Sequence, residues 1–98
     1  MQSHNHFVYI TSIPGKTVLY TGVTNNLVRR LSEHRLNKGN PETFASRYYC
    51  YSLLYYERFN DINKAIEREK DIKLLGRSAK ETLIKTLNPG MAFLNVYE

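Results

Sequence analysis

Apolar, aromatic and β-branched residues run almost unbroken from Phe7 to Ile13 and recur from Thr17 to Val23, with Ile13-Pro14-Gly15-Lys16 as turn residues between them. That pattern predicts a β-hairpin. From Thr24 to Lys38 the spacing becomes helical, with Leu27, Val28 and Leu31 apolar, Thr24 or Asn25 as cap and Gly39-Asn40-Pro41 as stop. Glu42 to Tyr51 is polar and aromatic, and is read as a short helix leading into a strand. Ser52 to Phe59 follows as the third strand. Asn60-Asp61 caps a second long helix running to Leu75 and stopped at Gly76. Ser78-Ala79-Lys80-Glu81 fits a capping box, opening a last helix that ends before Asn88-Pro89-Gly90.

The order ββα-β-αα, with three short strands and no repeated strand–helix alternation, predicts an α+β fold. Its centre is a small three-stranded antiparallel sheet flanked by helices. No repeat, linker or low-complexity stretch divides the chain, so a single domain over residues 1–98 is expected.

Composition changes this picture only in part. The 98 residues carry a formal net charge of +5, from 14 Lys and Arg against 9 Asp and Glu. That balance permits an anionic partner such as nucleic acid without demanding one. The single Cys50 excludes an internal disulfide, and no Cys/His cluster of zinc type is present. Neither a signal peptide nor an apolar run of spanning length occurs, so a cytoplasmic protein without membrane attachment is expected. His4 and His6 lie on an N-terminus read as frayed, which argues against a metal role for them.

The second long helix contains an anomaly. Ile62, Ala65, Ile66 and Ile72 recur at helical spacing, and Glu69 falls in the middle of their stripe. A dry, unpaired carboxylate there costs several kcal/mol. It therefore needs a salt bridge to Arg68 or Lys73, an opening to solvent, or a metal ion. Its neighbours Glu67, Arg68, Lys70 and Asp71 read as a solvated face.

On the first helix, Arg30 and His34 stack four residues apart beside the Leu27 and Leu31 stripe. They form either an amphipathic rim or a phosphate-binding edge; Arg29 points elsewhere and adds field. On the hairpin, Tyr9 and Tyr20 sit on neighbouring strands, and Gly22 in a strand just before a helix leaves room for close approach of a ligand. Tyr55 and Tyr56 read as packing residues.

Together, Phe7-Val8-Tyr9-Ile10, Tyr20-Thr21-Gly22, Arg30, His34 and Glu67-Arg68-Glu69 resemble the GIY-YIG nuclease family. The similarity runs from Phe7 to about Asn88, and is closest to the small stand-alone bacterial branch related to the nuclease module of excision repair. Tyr20 follows Tyr9 by eleven residues, Arg30 follows Tyr20 by ten, and His34 follows Arg30 by four. Agreement of several separated elements in order and distance is a specific signal. Two departures stand out: the first motif lacks its glycine, and the second has Thr21 at its centre.

The resemblance implies a divalent-metal-dependent endonuclease acting on nucleic acid, DNA foremost, with one Mg²⁺ or Mn²⁺ ion. It gives catalytic roles to Tyr9, Tyr20, Arg30, His34 and Glu69, with Glu69 also the metal ligand. Gly22, Arg29 and Asn88 would bind substrate, with Asn95 as the second choice for the family's asparagine. Tyr9 is the first candidate for general base, with Tyr20 sharing that role. The chain is too short for a separate recognition domain, so cutting directed by nucleic-acid structure, or by a targeting partner, is expected. The alternative is a nucleic-acid-binding module that keeps the fold without cutting.

Overall fold

The structure is a computed structural model that describes residues 5–13, 15, 16, 18–36 and 52–94, with the side chains of residues 34–36 excepted. Three strands, β1 (His6–Ser12), β2 (Leu19–Thr24) and β3 (Ser52–Phe59), form an antiparallel sheet in the order β2-β1-β3. Three helices accompany it among the described residues: α1 (Leu27–Leu36), α2 (Ile62–Lys73) and α3 (Arg77–Leu87). The α+β expectation is met. The short helix expected within Glu42–Tyr51 lies outside the described residues, as does the stop expected at Gly39-Asn40-Pro41.

The unbroken apolar character of β1 has a structural cause: this strand is central and covered on both faces. Val8 and Ile10 join Tyr55, Ala65, Ile72 and Ile84 in one core, against α2 and α3. Tyr9 joins Leu27, Leu31 and Leu53 in the other, against α1. Alternation along the strand sends neighbouring side chains to opposite faces. The β1–β2 turn closes with the Lys16 N–H donating to the Ile13 carbonyl at 2.9 Å, and Lys16 takes a positive φ of 61°.

A bulge interrupts the β1–β3 ladder. Ile10 faces Tyr55 and Thr11 faces Leu53, which leaves Leu54 unpaired. The extra residue puts Leu54 and Tyr55, adjacent in sequence, into the same core. The free carbonyl of Leu54 accepts a hydrogen bond from Asn88 Nδ2 at 3.0 Å.

Helix boundaries depart from expectation in detail. Asn26, not Thr24 or Asn25, caps α1: its Oδ1 accepts from the Arg29 N–H at 3.0 Å, while Thr24 Oγ1 accepts from the Asn26 N–H at 3.1 Å. Asp61 caps α2 as expected, accepting from the Asn63 N–H at 2.9 Å. The capping box at Ser78 does not form. Helix α3 starts at Arg77 behind Gly76, with no side-chain cap, and Glu81 pairs with Arg77 at 2.6 Å instead. Ile62 and Val28 are exposed, whereas Leu27, Leu31, Ala65 and Ile72 are buried.

Arg68 also departs from its solvated reading. It grips Glu57 of β3 through two guanidinium nitrogens, at 2.9 and 3.1 Å, and the Tyr55 hydroxyl donates to the same carboxylate. This brace ties α2, and with it the neighbouring Glu69, to the sheet. Burial first, then the hydrogen bond and charge of Glu57, push the Tyr55 hydroxyl up to about 12. A phenol in an unfolded chain titrates near ~10. The folded state therefore holds this proton more tightly, a contribution complete below pH ~10 and lost as pH climbs toward the folded value. Chemical denaturation between pH 9 and 12 should show stability falling above pH ~10. The fall should be shallower in Tyr55→Phe; an identical slope in both proteins would contradict the brace.

Candidate active site

Tyr9 sits at the middle of the central strand, 1% exposed, directly opposite Gly22 on β2. The pairing explains the glycine. A Cβ at residue 22 would lie 2.5 Å from Tyr9 Oη and 2.6 Å from Tyr9 Cζ. The tyrosine ring occupies the space that any other side chain would need, so Gly22 is required for room. Tyr20, two residues before Gly22, places its ring centroid 6.2 Å from that of Tyr9 at an interplanar angle of 48°.

Three other groups act on the Tyr9 hydroxyl. Its pKa is raised, first by burial, then by the neighbouring Tyr20 phenol, with a further upward push from the charge of Glu69; Arg30 opposes these from the other direction. The hydrogen bond with Tyr20 also keeps the proton on Tyr9. Tyr9, Tyr20, Arg30 and Glu69, drawn from β1, β2, α1 and α2, are thus brought within electrostatic reach of one hydroxyl. Burial opposes the general-base role expected first of Tyr9, because ionising this phenol would strand a charge in the core.

Arg30 is half exposed, with a side chain 41% accessible. Its Nε is nonetheless sheltered from solvent and finds no hydrogen-bond acceptor among the described residues. Its ion pair with Glu33, at 3.9 Å, is too long to be a hydrogen bond. A guanidinium in that state suits an incoming anion, above all a phosphate that accepts two parallel bonds.

Glu69, with a side chain 16% exposed, has Lys73 as its ion-pair partner at 3.6 Å. Of the partners the sequence left open, Lys73 is the one realised and Arg68 is committed to Glu57. The anomalous carboxylate is therefore tucked against the fold with an opening to solvent and a loose cation beside it.

The remaining expected residues fall elsewhere. The side chain of His34 lies outside the described residues, although its backbone continues α1 one turn beyond Arg30. Arg29 is exposed and donates from Nη2 to Asn25 Oδ1 at 3.3 Å. Asn88 is a clamp. Its Nδ2 donates to the carbonyls of Leu54 and Ala92, and its Oδ1 accepts from the Ala92 N–H. With both ends of the amide committed to backbone, it has little left to offer a substrate, contrary to the substrate-binding role expected of it. Asn95 lies outside the described residues.

One feature of the site escaped the sequence. Beside Tyr20, a hollow of about 290 Å³ is lined by Leu19, Thr21, Lys73 and Lys80. Thr21 is buried, and its Oγ1 has no hydrogen-bond partner among the described residues. Lysines from α2 and α3 meeting beside Tyr20 depend on how the two helices pack, which spacing along one helix does not reveal. Among the described residues no group of three or more His, Cys, Asp and Glu could hold a metal ion, and no helix is long and apolar enough to cross a membrane.

A phenol pair on a three-stranded antiparallel sheet thus faces a guanidinium and one half-buried carboxylate supplied by two helices, within an α+β domain. The model of the GIY-YIG catalytic domain matches residues 5–83, and the chain belongs to the GIY-YIG family. Its relatives carry the name UPF0213 protein. One from Natronomonas pharaonis is 39% identical over 80 residues, covering 82% of this chain and 91% of the relative. Another, from Desulfotalea psychrophila, is 39% identical over 87 residues, covering 88% of this chain and 76% of the relative. The solution NMR structure of a UPF0213 protein from Bacillus halodurans superposes with a TM-score of 0.54 at 27% identity, over 88% of each chain. The family and fold expected from the motifs are both met.

Proposed function

We propose that this protein is a divalent-metal-dependent endonuclease that hydrolyses phosphodiester bonds in nucleic acid, DNA foremost. On this reading, nucleic-acid structure or a targeting partner directs it to its substrate. The observation that carries the proposal is the gathering of Tyr20, Arg30 and Glu69 around the Tyr9 hydroxyl, cradled by Gly22.

Glu69 fits a metal ligand. Its carboxylate is half-buried, makes no hydrogen bond among the described residues, and has only the loose pair with Lys73. Mg²⁺ or Mn²⁺ is bound by one carboxylate together with waters and substrate oxygens. Such an ion, when bound, supplies positive charge to the leaving oxygen and the phosphoryl group.

The chain's own residues divide the rest of the work. Arg30 binds the scissile phosphate, using the donor that the fold leaves idle, and stabilises the charge that grows on its oxygens. Tyr20 gives its own proton to His34 and receives the proton of the attacking water as the new P–O bond forms and the bridging P–O bond breaks. Tyr9 stays protonated and positions Tyr20 by donating to its oxygen. His34 follows Arg30 on α1 and is assigned to carry the proton away from Tyr20. Lys73, Lys80 and the Thr21 hydroxyl hold a neighbouring phosphate of the same strand, a contact that adds affinity without sequence preference.

Supercoiled plasmid and branched DNA, incubated with the protein in Mg²⁺ and in chelator, test the proposal. Cleavage is expected in Mg²⁺ alone. Salt-dependent binding with no turnover on either substrate would instead make the chain a binding module.

A further inference from the structure

On the face of the sheet that carries Tyr9, a second hollow of about 370 Å³ opens between the N-terminal turn of α1 and β3. Its walls are Phe7, Leu27, Val28 and Tyr56. Phe7 and Tyr56 meet edge to face, with centroids 6.2 Å apart and planes at 66°. Tyr56 and Val28 are among the few large apolar side chains the fold leaves exposed. The motif roles described above use none of these four residues.

The rim is polar in a particular way. Asn25 and Asn26 both line the hollow, and both commit their Oδ1 atoms to Arg29. Their Nδ2 amino groups are then the ends that can face a ligand, so the rim donates hydrogen bonds. Asn5, also on the rim, receives the Arg58 Nε. Two rim asparagines, Asn25 and Asn5, therefore each hold a guanidinium, that of Arg29 and that of Arg58.

We propose that this hollow seats one unpaired nucleobase of the substrate, stacked on Tyr56, an inference that rests on the nucleic-acid reading above. The volume lies in the range of small-ligand sites. Aromatic faces stack any base, and amide donors suit the carbonyl and ring-nitrogen acceptors along a base edge. Arg29 and Arg58 match the phosphates on either side of that nucleotide. Phosphate or an apolar ligand alone would leave either the ring faces or the amide donors unused.

Placement gives the pocket a consequence. Tyr56 pairs directly with Tyr9 across β1 and β3, so the seated base lies next to the reacting centre. Bases inside a duplex must be unstacked to reach it, whereas those in a flap, bubble or single strand need not. A preference for unpaired DNA near the cut then follows without a separate recognition domain.

The test uses the full chain, in chelator, with a single-stranded oligonucleotide of mixed 2-aminopurine and thymine and a fully paired duplex of the same sequence. The protein contains no Trp, so 2-aminopurine emission is read without interference from indole. Binding of the single strand is expected to quench the probe. Tyr56→Leu, which keeps bulk on β3 but has no ring, should abolish the quench and weaken single-strand binding by on the order of tenfold. Duplex binding by that variant should change less than about twofold, since phosphate contacts carry it. Tyr56→Phe should retain both quench and affinity. If the single strand binds with unchanged emission and equal affinity in wild type and Tyr56→Leu, the pocket assignment is wrong and the nuclease reading stands. Failure of the wild type to bind either nucleic acid at low salt would overturn both.

Discussion

Cleavage by an Arg30→Ala variant is expected to fall by about 10²–10³-fold, the loss typical of removing one preorganised charge-stabilising donor. Its melting temperature should stay within a degree or two of the wild type. The opposing effects come from the same geometry. Arg30 contributes little to the fold, since its pairing with Glu33 is long and half exposed, and such pairs are worth about 0–1 kcal/mol. Its sheltered Nε has no acceptor among the described residues. Alanine removes that unsatisfied donor together with the phosphate contact, so stability is kept while activity is lost. Arg30→Lys should recover only part of the rate, because an ammonium keeps the charge but not the two-pronged geometry. Glu69→Ala should be as damaging to cleavage. Single-turnover rates for the three variants, alongside thermal melts, decide the matter. Cleavage surviving in both Arg30→Ala and Glu69→Ala would reject the site.

Much of this arrangement is legible in the sequence for a physical reason: burial on two faces writes itself as an unbroken apolar run. That is why Phe7–Ile13 reads as a strand; β3 also matches its expected span Ser52–Phe59. The carboxylate at Glu69 is legible because it violates the stripe around it, and a violation needs a partner. Other features turn on competition between equals. Thr24, Asn25 and Asn26 all carry capping side chains, and only the path of the chain out of β2 selects Asn26. Ser78 and Glu81 have the spacing of a capping box, yet Arg77 takes the carboxylate first and the helix begins two residues earlier.

The clamp at Asn88 was hidden for a different reason. It answers to the bulge at Leu54, and nothing in the alternation of Ser52–Phe59 marks where the ladder slips. The order of the two active-site phenols was hidden too. Tyr9 and Tyr20 are interchangeable as residue types, and only the register, which sets Tyr9 on the central strand facing Gly22, makes Tyr9 the buried one and leaves Tyr20 half-buried.

Gly22→Ala, the smallest change available at that position, is expected to be among the most harmful. The added Cβ would stand 2.5 Å from Tyr9 Oη, 2.6 Å from Tyr9 Cζ and 3.0 Å from Tyr20 Cε2. Backbone conformation is not the obstacle, because Gly22 lies within strand β2 with extended backbone and no left-handed φ. The conflict is one of space. Tyr9 is walled in by Leu27, Leu31 and Leu53, so its ring cannot swing aside without repacking that core. Overpacking of this kind costs typically about 1–3 kcal/mol. It also drives apart the two phenols to which the proposed mechanism gives proton transfer, and cleavage should drop by at least about 10²-fold, since small displacements of positioned groups are that costly. The cause is separable by a double-mutant cycle. Tyr9→Leu removes both of the closest clashing atoms, so adding Gly22→Ala to it should cost under about 0.5 kcal/mol, far less than in the wild-type background. Activity should stay absent in both Tyr9→Leu proteins. Equal and additive stability losses would show that the glycine and the ring do not compete for the same space, and the cradle around Tyr9 would have to be abandoned.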